Sequence, residues 1–211
     1  MNKQEQRSED TKQSIIRAAG ALFDEKGYDA VTMRQIAKTA GCSHTTIYIY
    51  FQDKEALLQA LTLPALLEIK SRVQTVLQDV LLSATEAVDR ISMEMIRFCL
   101  SHRTMYTVFF MVKAGRVDEQ EPASALNKLR NELFALLSEG LKRCFAEPPS
   151  GERLLAYSRI YYYMLQGIVG TYAYSEESTE SIMDRLAPTF AEATEVVLAG
   201  LLARSSGEGV S

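Results

Sequence analysis

Gly41 separates two short stretches of helical periodicity, and that break limits what the chain can fold into more than any other feature. Before it, Met33, Ile36, Ala37 and Ala40 recur at helical spacing behind Thr32, a residue type whose hydroxyl caps helix N-termini. Glycine takes the left-handed conformation without steric cost and ends that helix. Ser43 is placed to cap a second helix carrying His44, Thr45, Thr46, Ile47, Tyr48, Ile49, Tyr50 and Phe51. Asp53 caps a third, with Lys54 in its first turn. A helix, a glycine turn and a short polar-tipped helix predict a helix-turn-helix, whose second helix can enter a DNA major groove.

The remaining chain reads as all-α, with about nine helices in total. Residues 1–10 are expected to form a disordered polar arm, and a first helix runs over 11–26 with Ile15, Ala19, Leu22 and Phe23 inward. A long helix is expected from Asp53 to about Leu82, kinked or divided at Pro64. Ser83 or Thr85 opens the next, to about Ser101, and a shorter helix spans 103–114. After a polar loop at 116–121, Pro122 suits the first turn of a helix to about Phe145. Two long helices finish the chain, over 152–174 and 179–204. The expected division is an arm (1–10), a helix-turn-helix DNA-binding domain (11–53), a helical body (54–204) and a tail (205–211).

Charge bears on partners. The net charge of −4 by itself argues against nucleic acid. The acidity, however, lies in residues 61–211, while residues 1–60 are neutral. A local basic edge must therefore meet phosphate. Cys42, Cys99 and Cys144 are odd in number and far apart, so no disulfide framework follows and a reducing, cytoplasmic setting fits. The N-terminus has no signal-peptide apolar core, and the longest near-apolar run, 160–174, is short for a membrane span and holds Gln166. No membrane partner is expected.

The stretch TMRQIAKTAGCSHTTIYIYFQDKEALL closely resembles the N-terminal signature of the TetR family of transcriptional regulators, and TKQSIIRAAGALFDEKGYDAVT resembles that family's first helix. The resemblance covers about residues 11–60. It implies about nine helices arranged as a DNA-binding head and a ligand-binding, dimerising body. It also implies that Arg34 and residues 43–50 approach DNA and that Lys54 touches phosphate. Where the family commonly has Lys, Arg or Gln, this chain has His44, which leaves the base preference open.

The residue types allow the same reading. Thr45, Tyr48 and Tyr50 offer hydroxyls to phosphate, Lys54 an ammonium, and Arg34 a fork for guanine. Against this, Tyr48 and Tyr50 can simply pack the head. The candidate DNA-binding set is Thr32, Arg34, Ser43, His44, Thr45, Thr46, Tyr48, Tyr50 and Lys54. In the body, Met93, Phe98, Tyr106, Phe109, Phe110, Tyr162 and Tyr163 read either as ordinary core or as the wall of an adaptable apolar cavity, with Arg97 and Gln166 as polar anchors. Cys99 and His102 share a helix face, but without a third ligand a packed cysteine is the better reading; no metal or cofactor is expected.

The function expected is a ligand-responsive regulator that binds double-stranded operator DNA, a repressor released by an unknown small-molecule effector. It should form a homodimer through the last two helices, where Gly167, Gly170, Ala187, Ala191, Ala193 and Gly200 permit close approach. A helical protein-interaction module is one alternative. An α-helical enzyme is the other, disfavoured because the sequence has no nucleophile motif, phosphate loop or acid/base pair and only two histidines.

Overall fold

A computed structural model describes residues 2–102 and 124–206. These form eight α-helices: α1 (Lys3–Lys26), α2 (Met33–Thr39), α3 (His44–Tyr50), α4 (Lys54–Gln78), α5 (Ala84–Ser101), α6 (Ala125–Arg143), α7 (Gly151–Tyr172) and α8 (Thr179–Ser205). The further helix expected at 103–114, the loop at 116–121 and the first turn at Pro122 fall outside the described residues. The chain divides into two compact units, Met1–Leu66 and Leu67–Ser211, with the boundary inside α4.

In the first unit, called the head below, local polar chemistry sets the helix ends. Thr32 Oγ1 accepts from the Gln35 amide, and the Gln35 side chain accepts from the Thr32 amide, closing a capping box on α2. Ser43 Oγ accepts from the Thr46 amide at 3.0 Å to open α3, and Asp53 Oδ1 accepts from the Ala56 amide at 2.7 Å to open α4. Ile15, Ala19, Phe23, Ile36, Ile47, Phe51 and Leu57 form a buried apolar centre.

Two boundaries differ from the sequence expectation. The polar arm is helical: Asn2 and Glu5 make a capping box that starts α1 at Lys3. Gln6–Asp10 and Glu9–Gln13 side-chain hydrogen bonds then support a turn with no apolar face. Pro64 lies within α4 without dividing it, and α4 ends at Gln78 rather than Leu82.

The second unit, the body, is built on α5–α8. Ser83, Ser124, Ser150 and Ser178 cap these four helices. Gly140 lets α6 close on its neighbours, since a Cβ there would stand 3.3 Å from Val88 and 3.4 Å from Leu77. Arg143 donates to the Leu77 carbonyl at 2.7 Å, satisfying a C-terminal acceptor of α4.

Candidate nucleic-acid interface and interior site

The turn between α2 and α3 is fixed by its backbone. Cys42 N donates to Ala37 O at 3.0 Å and Gly41 N to Lys38 O at 3.2 Å, a Schellman pair. Gly41 sits at φ +72°, with open space where a Cβ would stand, so conformation and not room calls for glycine. Ser14 Oγ donates to Ala40 O at 3.2 Å and pins the turn to α1.

This turn presents one face of α3. Ile47 is fully buried, and the faces opposite it carry His44, Thr45, Tyr48 and Ile49, all exposed. The His44 and Tyr48 rings meet edge to face at 5.1 Å, one turn apart. Ile49 is 76% exposed. Such an apolar side chain suits a thymine methyl, and Ile49 lies within residues 43–50, which the family resemblance implies approach DNA. Arg34 and Lys38 are exposed on α2, and neither forms an ion pair among the described residues.

The other candidates are placed differently. Thr32 and Ser43 are committed to caps, and Ser43 Oγ lies 2.7 Å from Thr46 Oγ1. The Tyr50 hydroxyl lies 3.2 Å from Ser8 Oγ and ties α3 to the extended α1. Lys54 does not stand free for phosphate as expected. Its Nζ donates to the carbonyls of Tyr28 (2.7 Å), Val31 (3.0 Å) and Asp29 (3.4 Å), and lies 4.2 Å from the Tyr28 ring centroid. It closes the loop between α1 and α2. Burial, then the charges of Glu55, Asp53 and Asp29, push the Tyr28 hydroxyl above its ordinary range.

In the body, the expected ligand residues separate. Tyr106, Phe109 and Phe110 lie outside the described residues. Phe98 and Tyr162 are buried, and Met93 and Gln166 are half-buried. Arg97 and Tyr163 are exposed. Neighbouring helical residues point about 100° apart, so with Tyr161 and Tyr162 turned inward Tyr163 faces out. The arginine inside the body is instead Arg130, 4% exposed on α6. Its Nη1 donates to Asn127 Oδ1 at 2.9 Å, and its Nε has no partner among the described residues.

Arg130 adjoins the Tyr162 hydroxyl. Burial pushes that hydroxyl up to about 12, and the charge and hydrogen bond of Arg130 oppose the rise. Phe134 stacks edge to face on Tyr162 at 5.7 Å. Cys99 is buried, its thiol pushed up to about 12 by desolvation, while His102 closes α5 with Nδ1 3.0 Å from Phe98 O. Among the described residues no group of three or more His, Cys, Asp or Glu is arranged to hold a metal ion. A separate cavity of about 400 Å³ is lined by Glu86 and Asp89 of α5, Tyr161 of α7, and Thr194, Glu195 and Leu198 of α8. None of the expected ligand residues lines it.

Comparison with known proteins follows the same division. Residues 15–61 match the family described as bacterial regulatory proteins, tetR family. An HTH-type transcriptional regulator of Bacillus subtilis, YhgD, is 31% identical over 100 residues, 47% of this chain and 52% of its own length. The chain thus spans about half the length of this curated relative. The fold extends further. The ketosteroid transcriptional regulator KstR2 of Mycobacterium tuberculosis superposes with a TM-score of 0.65 at 18% identity, covering 90% of this chain and 93% of that one. The fatty acid degradation regulator FadR of Bacillus halodurans does so at 0.62 and 18%, covering 90% and 96%.

Proposed function

We propose that this chain, whose head belongs to the TetR family of bacterial regulatory proteins, is a cytoplasmic homodimeric repressor that releases operator DNA on binding a small molecule. The observation that carries the reading is the α3 face: His44, Thr45, Tyr48 and Ile49 exposed together beside Arg34, on a turn fixed by Gly41. Backbone contacts orient such a head and base-edge contacts specify sequence.

The dimer reading rests on α7 and α8. Ile160 and Tyr163 on α7 and Val196 on α8 are 48%, 58% and 60% exposed, and no atom stands within 4 Å of a Cβ at Gly167 or Gly200. By length and composition α8 is apolar enough to cross a membrane, yet little of its apolar stretch is buried within one chain. A second copy covering it accounts for that surplus, and two-fold symmetry suits a palindromic operator.

Release on ligand binding rests on α4, which is one unbroken helix shared by head and body. A ligand preferring the non-binding state a hundredfold supplies about 2.7 kcal/mol of coupling. The neighbours FadR and KstR2 are described as fatty acid degradation and ketosteroid regulators, and an apolar effector follows by analogy alone.

The test is a gel shift of the full chain on the DNA upstream of its own gene. Arg34→Ala should weaken binding by about 1–3 kcal/mol and relax the preference at one base pair, with circular dichroism unchanged. Equal binding by wild type and variant, or none by either, removes the DNA assignment.

A further inference from the structure

We propose that Arg130 is the anchor for an anionic head group, so that the effector of this protein is an organic carboxylate on an apolar body. This rests on the ligand-responsive reading above and names the chemistry of the ligand.

The argument begins with the place of Arg130 in α6. Leu126, Leu129, Leu133, Phe134 and Leu137 are buried around it, so the guanidinium stands on the apolar stripe of its own helix. An arginine stays charged at any pH a protein meets, and so cannot lower the cost of burial by losing its proton. Buried charges are therefore paired with an opposite charge or fully hydrogen-bonded.

Arg130 meets neither condition among the described residues. It has no carboxylate partner there. Asn127 supplies a neutral oxygen to Nη1, the Tyr162 hydroxyl a second neutral contact, and Nε none. The other buried polar side chains nearby are completed within the fold. Ser92 Oγ meets Val88 O and Tyr161, and Ser158 Oγ donates to Leu154 O or Ser138 Oγ. The incomplete group is the one with a formal charge.

A carboxylate completes it. Two oxygens match the guanidinium fork, and one can take the Nε hydrogen that is now unmatched. The Tyr162 hydroxyl, kept neutral by burial, adds no charge beside the anion. Phe134 and the Tyr162 ring supply an apolar wall beside the head group. A cationic or neutral ligand would leave the guanidinium charge uncompensated.

Isothermal titration of the full chain tests this with five probes: octanoate, benzoate, octanol, octyltrimethylammonium and acetate. Octanoate and benzoate share the head group and differ in body; octanol and octyltrimethylammonium share the tail of octanoate; acetate is the head with almost no body. We expect octanoate or benzoate to bind wild type about tenfold to a hundredfold tighter than octanol, octyltrimethylammonium or acetate, the range for a charged hydrogen-bonded contact. Arg130→Met should abolish that preference while leaving octanol unchanged, and Arg130→Lys should restore part of it.

Equal affinity of wild type for octanoate and octanol overturns the proposal, as does failure of both carboxylates to bind or a preference that survives in Arg130→Met. The wild-type comparison stands even if the methionine variant fails to fold. The gel shift is scored separately. A chain that binds its DNA yet shows no carboxylate preference loses only this inference, while one that prefers carboxylates without binding DNA loses the regulatory reading.

Discussion

The interiors of head and body differ in kind. The head buries aliphatic and aromatic side chains around Ile15, Ile36, Ile47 and Leu57, and its one buried polar side chain, Thr62, donates to the Leu58 carbonyl of its own helix. The body buries Ser92, Arg130, Ser158 and Thr194, with Tyr161 and Tyr162 joined to them by hydrogen bonds. A unit that acts through its outer face needs only a firm apolar filling. A unit that accepts a ligand, as proposed for the body, needs specific polar groups inside, where each unmatched group is costly and therefore selective.

Alkaline pH should divide the units most strongly. Burial pushes Cys99, Tyr161 and Tyr162 of the body up to about 12, from ordinary values of 9.0 for the thiol and 10.0 for the phenols. A raised folded value means that the stabilisation is complete below about pH 9 and is lost as pH climbs towards 12, because the unfolded chain ionises first. At about 1.4 kcal/mol per unit, the body should lose several kcal/mol by pH 11. Urea denaturation followed by circular dichroism checks this, with tyrosinate absorbance reporting when the rings ionise. A midpoint that does not move between pH 8.5 and 11 would erase the contrast.

A core deletion in the head acts next. Ile47→Ala removes a fully buried side chain beneath the α3 face and should cost about 2–5 kcal/mol. DNA binding should vanish while a second, later thermal transition stays in place. A single transition that moves as a whole would mean that the units do not unfold separately.

Gly41→Ala is smaller. At φ +72° a Cβ is strained whatever the space, and the expected loss is about 1–2 kcal/mol. Because the strain falls on the turn under α3, operator affinity should drop more than the melting temperature does. An unchanged gel shift would show that the turn does not set the α3 face.

What the residues disclosed in advance follows from the range of each interaction. Thr32, Ser43, Asp53 and Ser83 act within three residues of themselves; the first three cap where the sequence placed them, and of the two candidates Ser83 and Thr85 the cap is Ser83. The start of α1 at Lys3 was hidden because its first turns bury nothing, and periodicity detects only helices with an inside. The signal was present in Asn2 and Glu5, spaced as a capping box. Tyr162 and Tyr163 could not be told apart because a run of aromatics in Tyr161–Tyr163 carries no phase. Arg130 is legible as a charge on the stripe from Leu126 to Leu137, but a stripe does not show what the guanidinium meets on the neighbouring helix. Lys54 was beyond reach, since its carbonyl partners lie 23 to 26 residues earlier in the chain.

The closed loop that Lys54 makes has a consequence for how operator binding responds to ionic strength. An ammonium enclosed by three carbonyls displaces no counterion from a DNA strand. Within α2 and α3 themselves, Arg34 and Lys38 are the exposed lysine and arginine side chains, and neither forms an ion pair among the described residues. With Arg34 at a base edge, Lys38 alone on each head of the proposed homodimer corresponds to a slope of log affinity against log salt of about −2. A complex of that kind keeps more of its affinity in concentrated salt than one held by a dense basic patch. In the proposed reading its discrimination then comes from Arg34 and from the fit of His44, Tyr48 and Ile49 against base edges.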